Sequence, residues 1–244
     1  MLGLHQILLD ENEIAKAANR PKITELKVSF SRDGFHWDRP YRDAFIPATR
    51  VPGSWDRGYV QSVGGICTVV GDQLRFYYIG FKGGDSSSYM HSNGATGMAT
   101  LRRDGFASMS TAGEGSLTTR PVKFSGKYMF VNVNCPAGEL KVEILDKNNK
   151  VIDGFSADKC KAVTIDSTIQ QVEWNGASDL SSLAGQEVRF RFKLKNGDLY
   201  AFWVSPSTNG ESNGYVAGGG PGYTSNKDTE GKKAYEKASG FQKF

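Results

Sequence analysis

The sequence predicts an all-β chain: incomplete β-propeller blades followed by a jelly-roll-like β-sandwich. Three observations carry this expectation. Ser31-Arg32-Asp33-Gly34-Phe35-His36-Trp37 is a turn with a mechanism: Asp33 bonds its own backbone two residues ahead, Gly34 takes the positive φ, and Trp37 folds back over the hairpin as an apolar plug. Gly53-Ser54-Trp55-Asp56-Arg57-Gly58 repeats the Trp/Asp/Gly punctuation ahead of a strand pair, residues 59–70 and 73–81, joined at Gly71-Asp72. Short antiparallel strands, even spacing and aromatic and glycine punctuation are the grammar of a blade. From Gly115 onward the pattern changes to a regular series of alternating strands divided by turn residues.

Taken in order, residues 2–9 read as a strand, and Glu11 to Asn19 as a polar loop or one short helix ending at Arg20-Pro21. Ile23 to Phe30 alternates imperfectly, as a strand half covered by its neighbours does. Gly80 to Gly97 is expected to be a long flexible loop and Met98 to Arg103 the closing strand. The later strands are expected at residues 116–124, 128–135, 139–145, 161–165, 170–174, 187–194 and 199–204, with turns at Pro136-Ala137-Gly138, Asp146 to Asn149 and Asn196-Gly197. Asp179 to Gly185 reads as a single helical turn. Beyond Ser205 the chain is rich in Gly, Ser, Asn and Lys, and disorder is expected past Ser225. The expected domains are residues 1–110, partial blades; 111–205, the sandwich; and 206–244, the tail.

Composition agrees with a β-rich globule. In 244 residues, 39% hydrophobic and 11% aromatic content suffices for real cores. Thirty basic against 26 acidic residues leave +4, too weak and too dispersed for a nucleic-acid partner. No apolar stretch reaches the roughly 20 residues of a membrane span, so no membrane partner is expected. The first nine residues lack the basic start and small-residue cleavage site of a signal peptide, which leaves the chain as written in the cytoplasm. Cys67, Cys135 and Cys160 are an odd, sparse set; Cys67 and Cys135 alternate with apolar neighbours as buried thiols do. No Cys or His spacing suggests zinc, and neither a metal nor a cofactor is expected.

The runs Pro21 to Thr24, Ser31 to Trp37, Pro47 to Arg50, Trp55 to Tyr59 and Phe76 to Tyr78 resemble the last blades of bacterial five-bladed propeller proteins, relatives of the arabinanase, levansucrase and invertase class of glycoside hydrolases. The resemblance continues through Gly97 to Ser108, Leu117 to Val122 and Tyr200 to Ser205, where it implies the β-sandwich that trails the propeller. It covers roughly residues 2–225 and specifies an architecture better than a chemistry. A five-bladed ring needs about 20 strands, so the resemblance implies the C-terminal piece of a longer, exported protein.

Glycosidic cleavage calls for two carboxyls, about 5 Å apart for retention or about 6.5–9.5 Å for inversion. In the class resembled, these come from early blades that this chain does not contain, so no position inherits a catalytic role by motif. Of the acids present, Asp56 is the catalytic candidate, because Trp55-Asp56-Arg57-Gly58-Tyr59 leads into the strand nearest a propeller axis; the competing reading is an Asp56/Arg57 pair that holds the blade. A sugar subsite needs an aromatic face and planar polar groups. Trp55, Arg57, Tyr59 and Gln61, with His91 on the following loop, supply those pieces. The expected functions are thus a glycoside hydrolase or its remnant, a non-catalytic carbohydrate-binding module, or a subunit forming a homo-oligomer through open blade edges.

Overall fold

A computed structural model describes residues 1–9, 12–84 and 89–241. Strands hold 44% of the chain and helices 8%, so the protein is all-β as its periodicity predicts. It divides into two compact units, residues 1–67 with 75–100 and residues 68–74 with 101–244.

In the first unit, β1 (Leu2–Leu8) and β2 (Thr24–Phe30) pair antiparallel, from Leu2 opposite Phe30 to Leu8 opposite Thr24. Between them the polar stretch forms the short helix α1 (Asn12–Ala17). The Thr24 hydroxyl accepts the Val60 N–H at 2.7 Å, tying β2 to the next strand. The expected turn follows β2: Asp33 Oδ1 accepts the N–H groups of Phe35 and His36 at 2.9 and 2.8 Å, and Gly34 sits at φ +83°. Trp37 donates its ring N–H to the Gly34 carbonyl and lies against Gly3 of β1.

β3 (Tyr59–Val70), β4 (Gln73–Phe81) and β5 (Gly94–Arg102) form a three-stranded sheet in that order. β5 starts four residues before the expected strand, inside the segment expected to be loop. Its small residues are the reason: a side chain at Gly94 would meet the Phe81 ring, and one at Gly97 the rings of Trp55 and Tyr78. The Asp85 to Ser88 part of the expected loop lies outside the described residues.

In the second unit β6 (Met109–Thr118), β7 (Tyr128–Asn134), β8 (Glu139–Leu145) and β9 (Asp166–Val172) assemble around β10 (Arg189–Ser205), with β6, β7 and β8 paired to it and β9 paired to β7. Two expected strands, 187–194 and 199–204, are therefore one. Asn196-Gly197 is spent on a bulge instead of a hairpin: Asn196 takes φ +42° and the register with β6 shifts between Lys195 and Gly197. β8 pairs with the half before the bulge and β7 with the half after it. The inward residues of β7, β8, β9 and β10 meet in one cluster, Met129, Val131 and Val133 with Leu140, Val142 and Ile144, Val172, and Phe190, Phe192 and Leu194. The expected strand at 161–165 is reduced to Val163, bridged to Leu140. Ser181–Leu183 forms the expected helical turn.

Disorder past Ser225 is replaced by a packed tail with a second helix, α2 (Lys232–Ala238), which buries Ala234 and Ala238. β7 is covered on both faces, and the tail supplies the second cover. Phe130 stacks on Trp203 at 5.7 Å, whose ring N–H donates to the Gly210 carbonyl. Tyr235 shares a 2.8 Å hydrogen bond with Thr168 of β9. Arg103, lying between the Tyr223 and Tyr235 rings, pairs with buried Asp228 at 2.8 Å. Polar composition concealed this, because a few aromatic anchors and one buried charge pair suffice to order a Gly-rich segment on a waiting apolar face.

Candidate functional site

The sequence-predicted site residues do not converge. Asp56 is buried, and its Oδ1 accepts the hydroxyls of Thr49 at 2.9 Å and Ser54 at 2.6 Å. With Thr49 N–H donating to the Asp56 carbonyl and Arg50 N–H to that of Arg57, the carboxylate fastens the loop that feeds β3. Trp55 lies over Gly80 and Gly97, 5.6 Å from Tyr78. Tyr59 instead meets Phe81 and His91, with ring centroids 4.4 Å from the imidazole. Tyr78 and Phe81 stand three apart on β4, so Trp55 and the Tyr59/His91 pair occupy opposite faces of the sheet. Gln61 is exposed, two residues on from Tyr59. Arg57 is elsewhere again, in a cleft with Leu9, Arg20, Ile23 and Arg50.

The second unit holds a hollow of about 210 Å³, lined by Lys127 and Tyr128 at the start of β7, Lys161, Gln171, Glu173 and Trp174, and the 177–180 loop. Its framework is stiff. Lys161 N–H donates to the Glu173 carbonyl at 2.9 Å and Asn175 N–H to Lys159 at 2.7 Å; the 177–180 loop is anchored by Leu180 N–H donating to Lys127 at 2.7 Å. Trp174 turns into the core and gives its ring N–H to the Val142 carbonyl. Gln171 and Glu173, two apart on an extended segment, project to the same side. Lys161 bonds Glu173 at 2.8 Å, and Asp179 Oδ1 accepts the Ser181 N–H at 2.8 Å. That backbone bond, then the Ser181 hydroxyl and the Lys127 charge, hold the Asp179 carboxyl below its ordinary range.

The hollow thus presents a phenol, an amide, two lysine side chains and two carboxyl groups on a hydrogen-bonded rim. Such groups accept and donate to hydroxyls, but neither carboxyl is suited to general-acid work: a glycosidase acid needs a raised pKa, whereas Asp179 is lowered and Glu173 is engaged by Lys161. Sequence reading passed over this site because its polar residues come from four separated segments; the one local signal was Gln171 and Glu173 alternating with core residues Val172 and Trp174. Among the described residues, no group of three or more His, Cys, Asp or Glu side chains is placed to hold a metal ion, and no helix is long and apolar enough to cross a membrane. All three cysteines are buried and none is in a disulfide. The chain matches no protein-family model, no curated protein and no solved structure.

Proposed function

We propose that the chain is a non-catalytic carbohydrate-binding protein and that the hollow beside Lys161, Gln171 and Glu173 seats one sugar residue of a polysaccharide. The observation that carries this reading is the rim itself: planar carboxylate and amide groups, ammonium donors and the Tyr128 ring around a small solvent-open hollow on a hydrogen-bonded framework. Hydrolysis is disfavoured by the state of the acids. Asp56, the catalytic candidate, is committed to Thr49 and Ser54. Kinship with propeller glycosidases remains part of the proposal, supported by the two tryptophan-pinned turns ahead of a separate β-unit. The test is retention of the full chain on insoluble polysaccharides, paired with a reducing-end assay. Retention without released ends, lost in Lys161→Ala or Glu173→Gln, is the expected result. Sugar release abolished by Asp56→Asn would overturn it.

A second reading, assembly with another copy of the chain, is favoured by β1. Ser31 N–H donates to Met1 and Leu9 N–H to Ile23, so the odd-numbered residues of β1 bond to β2 while Leu2, Leu4, Gln6 and Leu8 turn their backbone groups outward. Among the described residues β2 is the only strand beside β1, and Leu2–Leu8 carries no charge or proline to guard that edge. Light scattering of the full chain is expected to give a dimer that Leu4→Pro converts to monomer; a wild-type monomer at all concentrations would remove this reading.

A further inference from the structure

We propose that the hollow between Trp37 and β1 in the first unit binds a six-membered ring that carries one carboxylate. This inference is independent of the sugar hollow, which lies in the second unit, and it uses a face of β1 and not its edge. The hollow, about 440 Å³, is lined by Gly3, His5, Ile7, Trp37 and Arg39. That volume falls among small-molecule sites, which span roughly 300–1,000 Å³.

The backbone brings these five residues to one side. Gly3, His5 and Ile7 alternate along β1 and so share one of its faces. Beyond β2, Asp38 exchanges two main-chain hydrogen bonds with Phe30, at 2.9 and 2.8 Å, so the chain around it is extended and Trp37 and Arg39 project together. The Trp37 ring is anchored: its N–H donates to the Gly34 carbonyl at 3.0 Å, and a Cβ at Gly3 would stand 2.7 Å from the ring. Even so, Trp37 stays 43% exposed. A fixed aromatic ring left half open beside a hollow is a surface on which another ring, or the C–H groups of a sugar, can stack. Arg39 is exposed, and among the described residues its side chain has no hydrogen bond or ion pair. One planar guanidinium matches one carboxylate in a pair of parallel bonds. The Ile7 and Trp37 walls are apolar, which penalises a bare, strongly hydrated anion and favours an anionic group borne on a ring. His5 lines the same hollow, and its Nε2 is buried without a hydrogen-bond partner. Such a nitrogen costs free energy until an oxygen reaches it, and a turn of the imidazole presents it to the ligand.

A hexuronate and an aromatic acid share this chemistry, and the experiment separates them. The full chain is titrated at constant ionic strength with sodium glucuronate and sodium benzoate, while the Trp37 indole N–H and the Arg39 Nε–H are followed by NMR. Benzyl alcohol and glucose supply a ring without the charge, and sodium acetate the charge without a ring. Saturable shifts of both resonances are expected with at least one ring carboxylate, with the indole N–H groups of Trp174 and Trp203 unmoved. The three controls should bind roughly tenfold more weakly or not at all. Tighter benzoate would support an aromatic acid as the ligand, and tighter glucuronate a sugar-borne carboxylate. Arg39→Gln, at an exposed position, is expected to leave the unliganded Trp37 resonance in place and to weaken the ring carboxylate roughly tenfold. The proposal is overturned if neither ring carboxylate saturates at tens of millimolar, if acetate or benzyl alcohol binds the wild type as tightly, or if Arg39→Gln binds unchanged.

Discussion

The two units are held together in different ways. The second unit turns Phe190, Phe192, Phe130 and Trp174 inward and buries them almost completely. The first buries Phe76 but leaves Trp37, Trp55 and Tyr89 between 38% and 63% exposed, each lying against a glycine. The second unit is held by one continuous core; the first buries a smaller set, Leu26, Ile46, Val60 and Phe76 among them, and adds local pins: a tryptophan over a glycine, a carboxylate fastening a loop. A residue that looks functional because it is aromatic or acidic beside a turn is therefore more often a pin in the first unit. The site of the second is written in modest polar residues on the outside of core strands.

The largest expected effect falls on the tail clamp of the second unit. Asp228→Ala leaves Arg103 buried without its partner and is expected to cost about 3–5 kcal/mol, read as a lower denaturation midpoint and early proteolysis after residue 205. An unchanged midpoint would show that the tail is not held by this pair. Next, Phe192→Ala in the shared core should cost about 3–5 kcal/mol and unfold the second unit by chemical denaturation at a clearly lower midpoint.

What could be read in advance follows the same division. The turn at Ser31 to Trp37 was legible because its mechanism is local: Asp33, Gly34 and Trp37 satisfy one another within a few residues. The strand expected at 187–194 was legible too, because Val188, Phe190 and Phe192 alternate with Arg189, Arg191 and Lys193. Asn196-Gly197 misled because the same dipeptide that makes a hairpin also makes a bulge, and only the neighbours β6, β7 and β8 decide between them. The tail was hidden for a similar reason, since Phe130 of the apolar face it covers lies far back in the chain. Of the candidate site, Tyr59 and His91 come together; Trp55, Asp56 and Arg57 do not join them, because they lie in the turn ahead of β3, Trp55 against Tyr78, Asp56 on the Thr49 and Ser54 hydroxyls and Arg57 in its own cleft.

Smaller effects sharpen the contrast from the side of the first unit. Asp56→Ala strands the Thr49 and Ser54 hydroxyls and should destabilise that unit by about 1–3 kcal/mol while leaving polysaccharide retention intact; loss of retention at unchanged stability would restore Asp56 to the site. Smallest is the pH response of the turn. The His36 ring, then the His36 and Phe35 N–H groups, lower the Asp33 carboxyl well below its usual range. A lowered folded-state value means that its contribution is complete above the unfolded value of about 4 and fades as pH falls through the folded one. The stability difference between wild type and Asp33→Ala should therefore shrink on going from neutral to strongly acidic solution, and a difference that grows would reverse the assignment.

The central claim is that sugar is held in the second unit by Lys161, Gln171 and Glu173 and is not cut. Its most direct test follows the side-chain amide of Gln171 and the ring of Tyr128 by NMR while a retained oligosaccharide is added. Saturable shifts at these two groups, with Tyr59, His91 and Trp55 unmoved and the oligosaccharide intact at the end, are the predicted result. Shifts confined to the Trp55 or Tyr59/His91 region, or cleavage of the sugar during the titration, would contradict it.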